Sequence, residues 1–146
     1  MMPEKPLNVL FVGRPGSGKG TQSKLLAETL GCARFSSGEH LKALIDAHGP
    51  LSELIRRDYD HGQLSPDWLA SFFFKEAIIG LPLEHSFVCE GFPRNLDQAQ
   101  VADEILTWLG REYTVLHLHV GEEEALRRQL ERAKTEHRPD SNDTDD

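Results

Sequence analysis

Two hydrophobic periods alternate along the chain, and their order lays out the fold. Leu7-Asn8-Val9-Leu10-Phe11-Val12 is a short, β-branched apolar run ending in a glycine-rich turn, the pattern of a buried parallel strand feeding a helix. Thr21–Leu30 follows, with Leu25, Leu26 and Leu30 near helical spacing and Gly31 as a stop signal. Cys32–Ser36 fits a second short strand. Glu39–Ala47 and Leu51–Tyr59 read as two helices broken at His48-Gly49-Pro50, together a helical insertion. Pro66-Asp67 opens a further helix whose apolar positions run through Phe72, Phe73 and Ile78 to a break at Gly80-Leu81-Pro82. Ser86–Cys89 is a compact strand. Ala102, Ile105, Leu106 and Leu109 then recur at helical spacing and Gly110 closes that helix. Val115–Val120 is the next strand, and Glu122-Glu123-Glu124 opens a last helix with Leu126, Leu130 and Ala133 as its buried stripe. Strands alternating with helices predict a three-layer α/β domain, a parallel sheet covered on both faces.

The 146 residues suit one compact domain, and no internal repeat divides them. A formal charge of -8 argues against nucleic acid as a partner, which needs a basic face. The start, Met1 to Pro6, lacks the basic-then-apolar pattern of a secretory signal, and the apolar run Val9–Val12 is far too short to cross a membrane, so a cytoplasmic protein is expected. Cys32 and Cys89 form no Cys-x-x-Cys pair and read as small buried residues. His117 and His119 alternate on one side of a strand without a third ligand, which favours structural or surface histidines over a metal site. Trp68, Phe72-Phe73-Phe74 and Trp108 read as packing.

The chemistry is concentrated in Gly13-Arg14-Pro15-Gly16-Ser17-Gly18-Lys19-Gly20-Thr21, between the first strand and the first helix. Glycines there let successive N–H groups point inward, the helix N-terminus adds positive potential, and Lys19 contributes a mobile cation. The general phosphate-loop pattern is missed by one place, because Gly20 follows the lysine and the hydroxyl comes at Thr21.

This variant loop resembles that of the adenylate kinase family of nucleoside monophosphate kinases, and three later segments agree in order. They are Phe35-Ser36-Ser37-Gly38-Glu39-His40-Leu41-Lys42, Gly62-Gln63-Leu64-Ser65-Pro66-Asp67, and Glu90-Gly91-Phe92-Pro93-Arg94 with Gln98. The resemblance implies a P-loop nucleoside kinase fold over residues 1–146, with a monophosphate-binding helical insertion at 37–66, a short lid at 133–137 and a polar, mobile end at 138–146. It implies reversible transfer of a phosphoryl group from magnesium ATP to AMP, giving two ADP.

By the same resemblance, Gly13, Pro15, Gly16, Ser17, Gly18, Lys19, Gly20 and Thr21 would hold ATP, with Arg128 near its adenine and Arg132 on its phosphates. AMP would meet Ser37, Gly38, Lys42, Gly91, Phe92, Arg94, Gln98 and Arg138. Lys19, Arg94, Arg132 and Arg138 would be the catalytic cations, and Thr21 and Glu90 would face Mg2+, mostly through water. Glu90 stands where the family has aspartate, and Lys42 where it has arginine. Ser37 with Gln98 favours AMP over CMP or UMP, since a glutamine amide donates and accepts together as an adenine edge requires. The short lid has neither room nor cysteines for zinc.

Family members continue beyond the region of Arg138-Pro139-Asp140-Ser141 with a helix, a last strand and a closing helix. The sequence stops before these, so the last strand is expected to be missing. A monomer is expected where the fold is complete. The competing expectations are a non-catalytic nucleotide-binding fragment or module, and a kinase for CMP or UMP.

Overall fold

The computed structural model describes residues 4–60 and 65–136. Four strands, β1 (Asn8–Val12), β2 (Ala33–Ser36), β3 (Phe87–Glu90) and β4 (Tyr113–His117), form one sheet in the order β2-β3-β1-β4, with every pairing parallel. Six helices connect or follow them: α1 (Lys19–Leu30), α2 (Ser37–Asp46), α3 (Ser52–Asp60), α4 (Asp67–Ile79), α5 (Leu96–Trp108) and α6 (Glu122–Glu136). The expected α/β architecture is present.

Strand periodicity divides the core between the two faces of the sheet. Val9, Phe11 and Val88 point to one side, where Ala27 of α1 covers them with Leu26 and Leu30. Leu10, Phe87, Cys89 and Phe35 point to the other, against Phe74 and Ile78 of α4 and Ala102 and Leu106 of α5. Burying those side chains supplies the main driving force for the layering, roughly 25 cal/mol per Å² of apolar surface. A smaller cluster, Ile45, Ile55 and Leu69, fastens α2 and α3 to α4. Ser36 caps α2 by accepting from the Glu39 backbone N–H, and Asn95 caps α5 by accepting from that of Gln98.

Several expectations shift. The fourth strand occupies Tyr113–His117, displaced from Val115–Val120, because its register with β1 pairs Asn8 with Tyr113 and Val12 with His117. Among the described residues it pairs with β1 alone, and Val115 and Leu116 are exposed. On α6 the buried face carries Ala125 and Gln129, while Leu130 is exposed, a rotation imposed by packing against the glycine-rich loop. The segment expected as the lid is described only to residue 136, where it forms the last turn of α6, and His137 lies outside the described residues. Trp68, Phe72 and Trp108 are exposed, leaving Phe74 as the fully buried member of the aromatic set. Cys89 is buried as expected and Cys32 only partly. The polar end at 138–146 also lies outside the described residues.

Arg111 joins the layers at the end of the sheet remote from the loop. Its guanidinium donates to Asn8 Oδ1 (3.0 Å) and to the carbonyls of His85 (2.8 Å), Pro82 (2.7 Å) and Leu81 (3.2 Å), and it lies over the Phe87 ring. Replacing it would leave the buried Asn8 Oδ1 unpaired and return the partly buried carbonyls of Leu81, Pro82 and His85 to water. Arg111→Ala is expected to cost about 3 kcal/mol, given about 1–3 kcal/mol for each orphaned buried group and partial hydration of the rest. Urea unfolding followed by circular dichroism measures this, and an unchanged midpoint would contradict the assignment.

Candidate functional site

β1, β3 and β2 end in one row, because the register sets Phe11 beside Glu90 and Glu90 beside Ser36. The carboxyl ends of parallel strands, where the connecting loops diverge, are where open α/β sheets accept ligands. The loop from Gly13 to Gly18 leaves β1 at that end and enters α1, whose cap residue Gly18 is left-handed. Gly16 has φ +83°, and a Cβ there would stand 2.5 Å from the Ala125 carbonyl oxygen of α6. Close approach of the α6 backbone therefore requires glycine at this position.

Inside the loop, Lys19 Nζ donates to the carbonyls of Gly13 (2.5 Å) and Arg14 (3.2 Å). Ser17 Oγ is buried and has no protein hydrogen-bond partner among the described residues. A cation folded onto loop carbonyls beside an unpaired buried hydroxyl is an arrangement ready for a multiply charged oxyanion. Burial pushes the Lys19 ammonium pKa below its ordinary value, and the positive charge of Arg94 lowers it further; Glu90 opposes this and Arg132 adds to it. Three charged groups distant in sequence thus bear on Lys19.

Glu90 Oε1 accepts from Ser36 Oγ (2.5 Å) and from Arg34 Nη2 (3.4 Å). Gly91 has φ +80°, and a Cβ there would collide with Ser37 Oγ. Ser37 Oγ donates to the Gly91 carbonyl (2.7 Å), which also accepts from Arg94 Nε (3.0 Å). The Phe92–Pro93 peptide is cis. Gln98, far from being a solvated helix residue, is buried: its Oε1 accepts from the Arg94 backbone N–H (2.8 Å) and its Nε2 donates to Asp67 (3.4 Å).

A model of the family described as Adenylate kinase matches residues 11–145. Curated adenylate kinases align over most of the chain. That of Thermobifida fusca is 37% identical over 138 residues, covering 94% of this chain and 73% of its own length. That of Thermus thermophilus is 39% identical over 136 residues, with 92% and 70% covered. That of Chlamydia felis is 39% identical over 124 residues, with 85% of this chain and 58% of the relative covered.

The chain belongs to the adenylate kinase family.

Within that family the loop, the Ser36–Lys42 segment and the Glu90–Arg94 segment are the stretches anticipated from the sequence, and the fold brings their centres to one end of the sheet. Not every residue expected at the site faces open space. Phe92 is wholly buried and stacks on Phe74 at 4.6 Å between centroids, so its ring is core and any nucleotide contact falls to its backbone. Ser37 and Gln98 spend part of their hydrogen-bonding capacity inside the protein. Lys42 is exposed on α2 and makes no hydrogen bond or ion pair to another described residue. Gly38 sits in the first turn of α2, Pro15 and Thr21 are exposed, and Gly20 lies in the first turn of α1.

Arg128 donates to Glu124 (3.0 Å), and its Nη1 comes within 3.8 Å of where a Cβ on Gly18 would stand, so it borders the loop. Arg127 instead pairs with Glu124 and Glu131 on the outer face of α6. Hydrogen bonds from Arg127 and Arg128 hold the Glu124 carboxyl down to about 2. Arg138 lies outside the described residues. His117 and His119 are exposed on the strand edge, and among the described residues no group of three metal-ligating His, Cys, Asp or Glu side chains occurs. Sequence reasoning missed Arg34, because its partner Glu90 lies on another strand 56 residues away and nothing next to Arg34 in the sequence points to it.

Lys19 should lose its proton below the ordinary lysine value of 10.5. Glu90→Gln removes a charge that favours the ammonium, so it should move the midpoint lower still. A pH titration of the Lys19 side chain by NMR tests both, and a wild-type midpoint at or above 10.5 would contradict the burial argument.

Proposed function

We propose that this chain transfers the γ-phosphoryl group of ATP to AMP in a reversible, magnesium-dependent reaction giving two ADP. The observation that carries the reading is the phosphate loop itself, in which Lys19 Nζ folds onto the carbonyls of Gly13 and Arg14, Ser17 Oγ is buried with no hydrogen-bond partner among the described residues, and the Glu90–Arg94 turn leaves the sheet alongside. Phosphoryl transfer asks little covalent work of a protein; it asks for in-line alignment, charge neutralisation and exclusion of water. The loop N–H groups and Lys19 would bind the donor phosphates, with Arg128 beside the donor base and Arg132 on its phosphates. Arg94 would grip the acceptor phosphate with its planar fork, and Arg138 would complete the cation set. An acceptor phosphate is already anionic, so no general base is needed.

Adenylate kinases generally use Mg2+ with ATP. The residues here fit it: Thr21 offers a hydroxyl on the first turn of α1, and Glu90 offers a carboxylate hard enough for a magnesium-bound water. When bound, the ion neutralises charge on the phosphoryl oxygens. Glu90 would orient the hydrated ion, while Ser37 and the remaining N–H of Gln98 are the polar contacts proposed for the AMP base. Residues 37–66, with α2 and α3, form the proposed acceptor-binding insertion, and 133–137 the proposed lid segment. Closure of both would exclude water.

The test is ADP formation from ATP with AMP, CMP or UMP, with and without Mg2+, on the 146-residue chain. AMP is expected to be the preferred acceptor, and Lys19→Ala is expected to lower turnover by about 100-fold or more, the scale of losing one preorganised charge donor. Preference for CMP or UMP would reassign the acceptor. ATP binding by a folded chain without turnover on any acceptor would leave a binding module and end the kinase reading.

A further inference from the structure

We propose that Arg34 is a positioning residue that holds Glu90 in its working orientation toward the phosphate loop. The inference rests on the magnesium-facing role of Glu90 given above. Arg34 projects from β2, and its side chain is only 13% exposed. Every edge of its guanidinium is engaged. Nε donates to Ser23 Oγ (2.9 Å), Nη1 to both oxygens of Glu39 (2.9 Å each), and Nη2 to Glu90 Oε1 (3.4 Å). Ser23 is wholly buried and donates in turn to the Gly20 carbonyl (3.0 Å). A continuous chain of hydrogen bonds therefore runs from the first turn after the phosphate loop, through Ser23 and Arg34, to Glu90.

The direction of the tethers matters more than their number. Ser36 Oγ and Arg34 Nη2 both converge on Oε1 of Glu90, and Oε2 makes no hydrogen bond within the described residues. One carboxylate oxygen is anchored and the other is left without a protein partner among the described residues. A glutamate has one more rotatable bond than an aspartate, so without an anchor its carboxylate would sample several rotamers. A planar guanidinium can hold Ser23, Glu39 and Glu90 at once, which a lysine ammonium cannot do in the same geometry. Arg34 also lies between the carboxylates of Glu39 and Glu90, and Lys24 approaches Glu39 at 3.9 Å, so the two acids and two bases balance in charge.

The experiment measures binding, not turnover. The full chain is saturated with a non-hydrolysable ATP analogue, Mg2+ is titrated in by calorimetry, and analogue affinity is measured separately in EDTA. Arg34→Lys keeps the charge and should weaken Mg2+ binding by about tenfold, the lower end of what loss of a group supporting a metal-facing side chain produces. Analogue affinity in EDTA should stay within about twofold, because no metal is then present for Glu90 to meet.

Glu90→Gln is the control that separates this inference from the reading beneath it. Weaker Mg2+ binding in both variants supports the proposal. Weaker binding in Glu90→Gln alone overturns the role of Arg34 and keeps that of Glu90; an effect in neither overturns both. Equal losses with Mg2+ and in EDTA for Arg34→Lys would show damage to the phosphate site as a whole and also overturn the proposal. If Arg34→Lys does not fold, Arg34→Gln, which keeps a polar side chain but loses the fork that reaches Ser23, Glu39 and Glu90 together, decides by the same measurement.

Discussion

The parallel pairing of β1 with β3 is the constraint on which the site depends. Because Phe11 stands opposite Glu90, the phosphate loop after β1 and the Glu90–Arg94 turn after β3 leave the sheet side by side. β2 then adds Ser36 to the same row, and the Ser36–Glu90 hydrogen bond follows directly from that register. A slip of one residue would turn Val88 and Cys89 to the wrong faces as well as move Glu90. The apolar packing that favours one register thereby also aligns the polar groups.

Around that row the energetic conflict is electrostatic. Burial penalises the Lys19 charge, and the positive charges of Arg94 and Arg132 add to that cost. Loop carbonyls and Glu90 relieve part of this, and a bound polyphosphate would relieve the rest. Such a site is costly when empty and favourable when filled, which is the physical meaning of preorganisation. The backing by α6 adds a steric condition: Gly16 and Ala125 meet backbone to backbone, so the loop cannot relax by moving outward on that side.

The acidic side of the site is built differently. Glu90 is not simply a carboxylate at a strand end, because Arg34 and Ser36 restrict it while Glu39 shares the same guanidinium. Ser36 serves twice, as the cap of α2 and as a donor to Glu90. The start of the helical insertion is thus mechanically joined to the residue at the end of β3.

Local chemistry determined much of this from the sequence by itself. A β-branched run followed by Gly13–Thr21 has few physical solutions other than strand, anion-binding turn and helix, and β1, the loop and α1 appear where that pattern puts them. The breakers at Gly31, Gly80 and Gly110 act over a few residues, so the helix ends they mark were legible too, whereas the Asn95 cap that starts α5 was not read from the sequence. What only the tertiary structure decided depends on distant partners. Phe92 is core because Phe74 lies beneath it, Trp108 is exposed because nothing among the described residues covers it, and β4 begins at Tyr113 because β1 sets its register. Arg34 carries no local signature of its role: Ser23 and Glu39 are near in sequence, but Glu90 lies on another strand, and only folding brings its carboxylate within reach of the guanidinium.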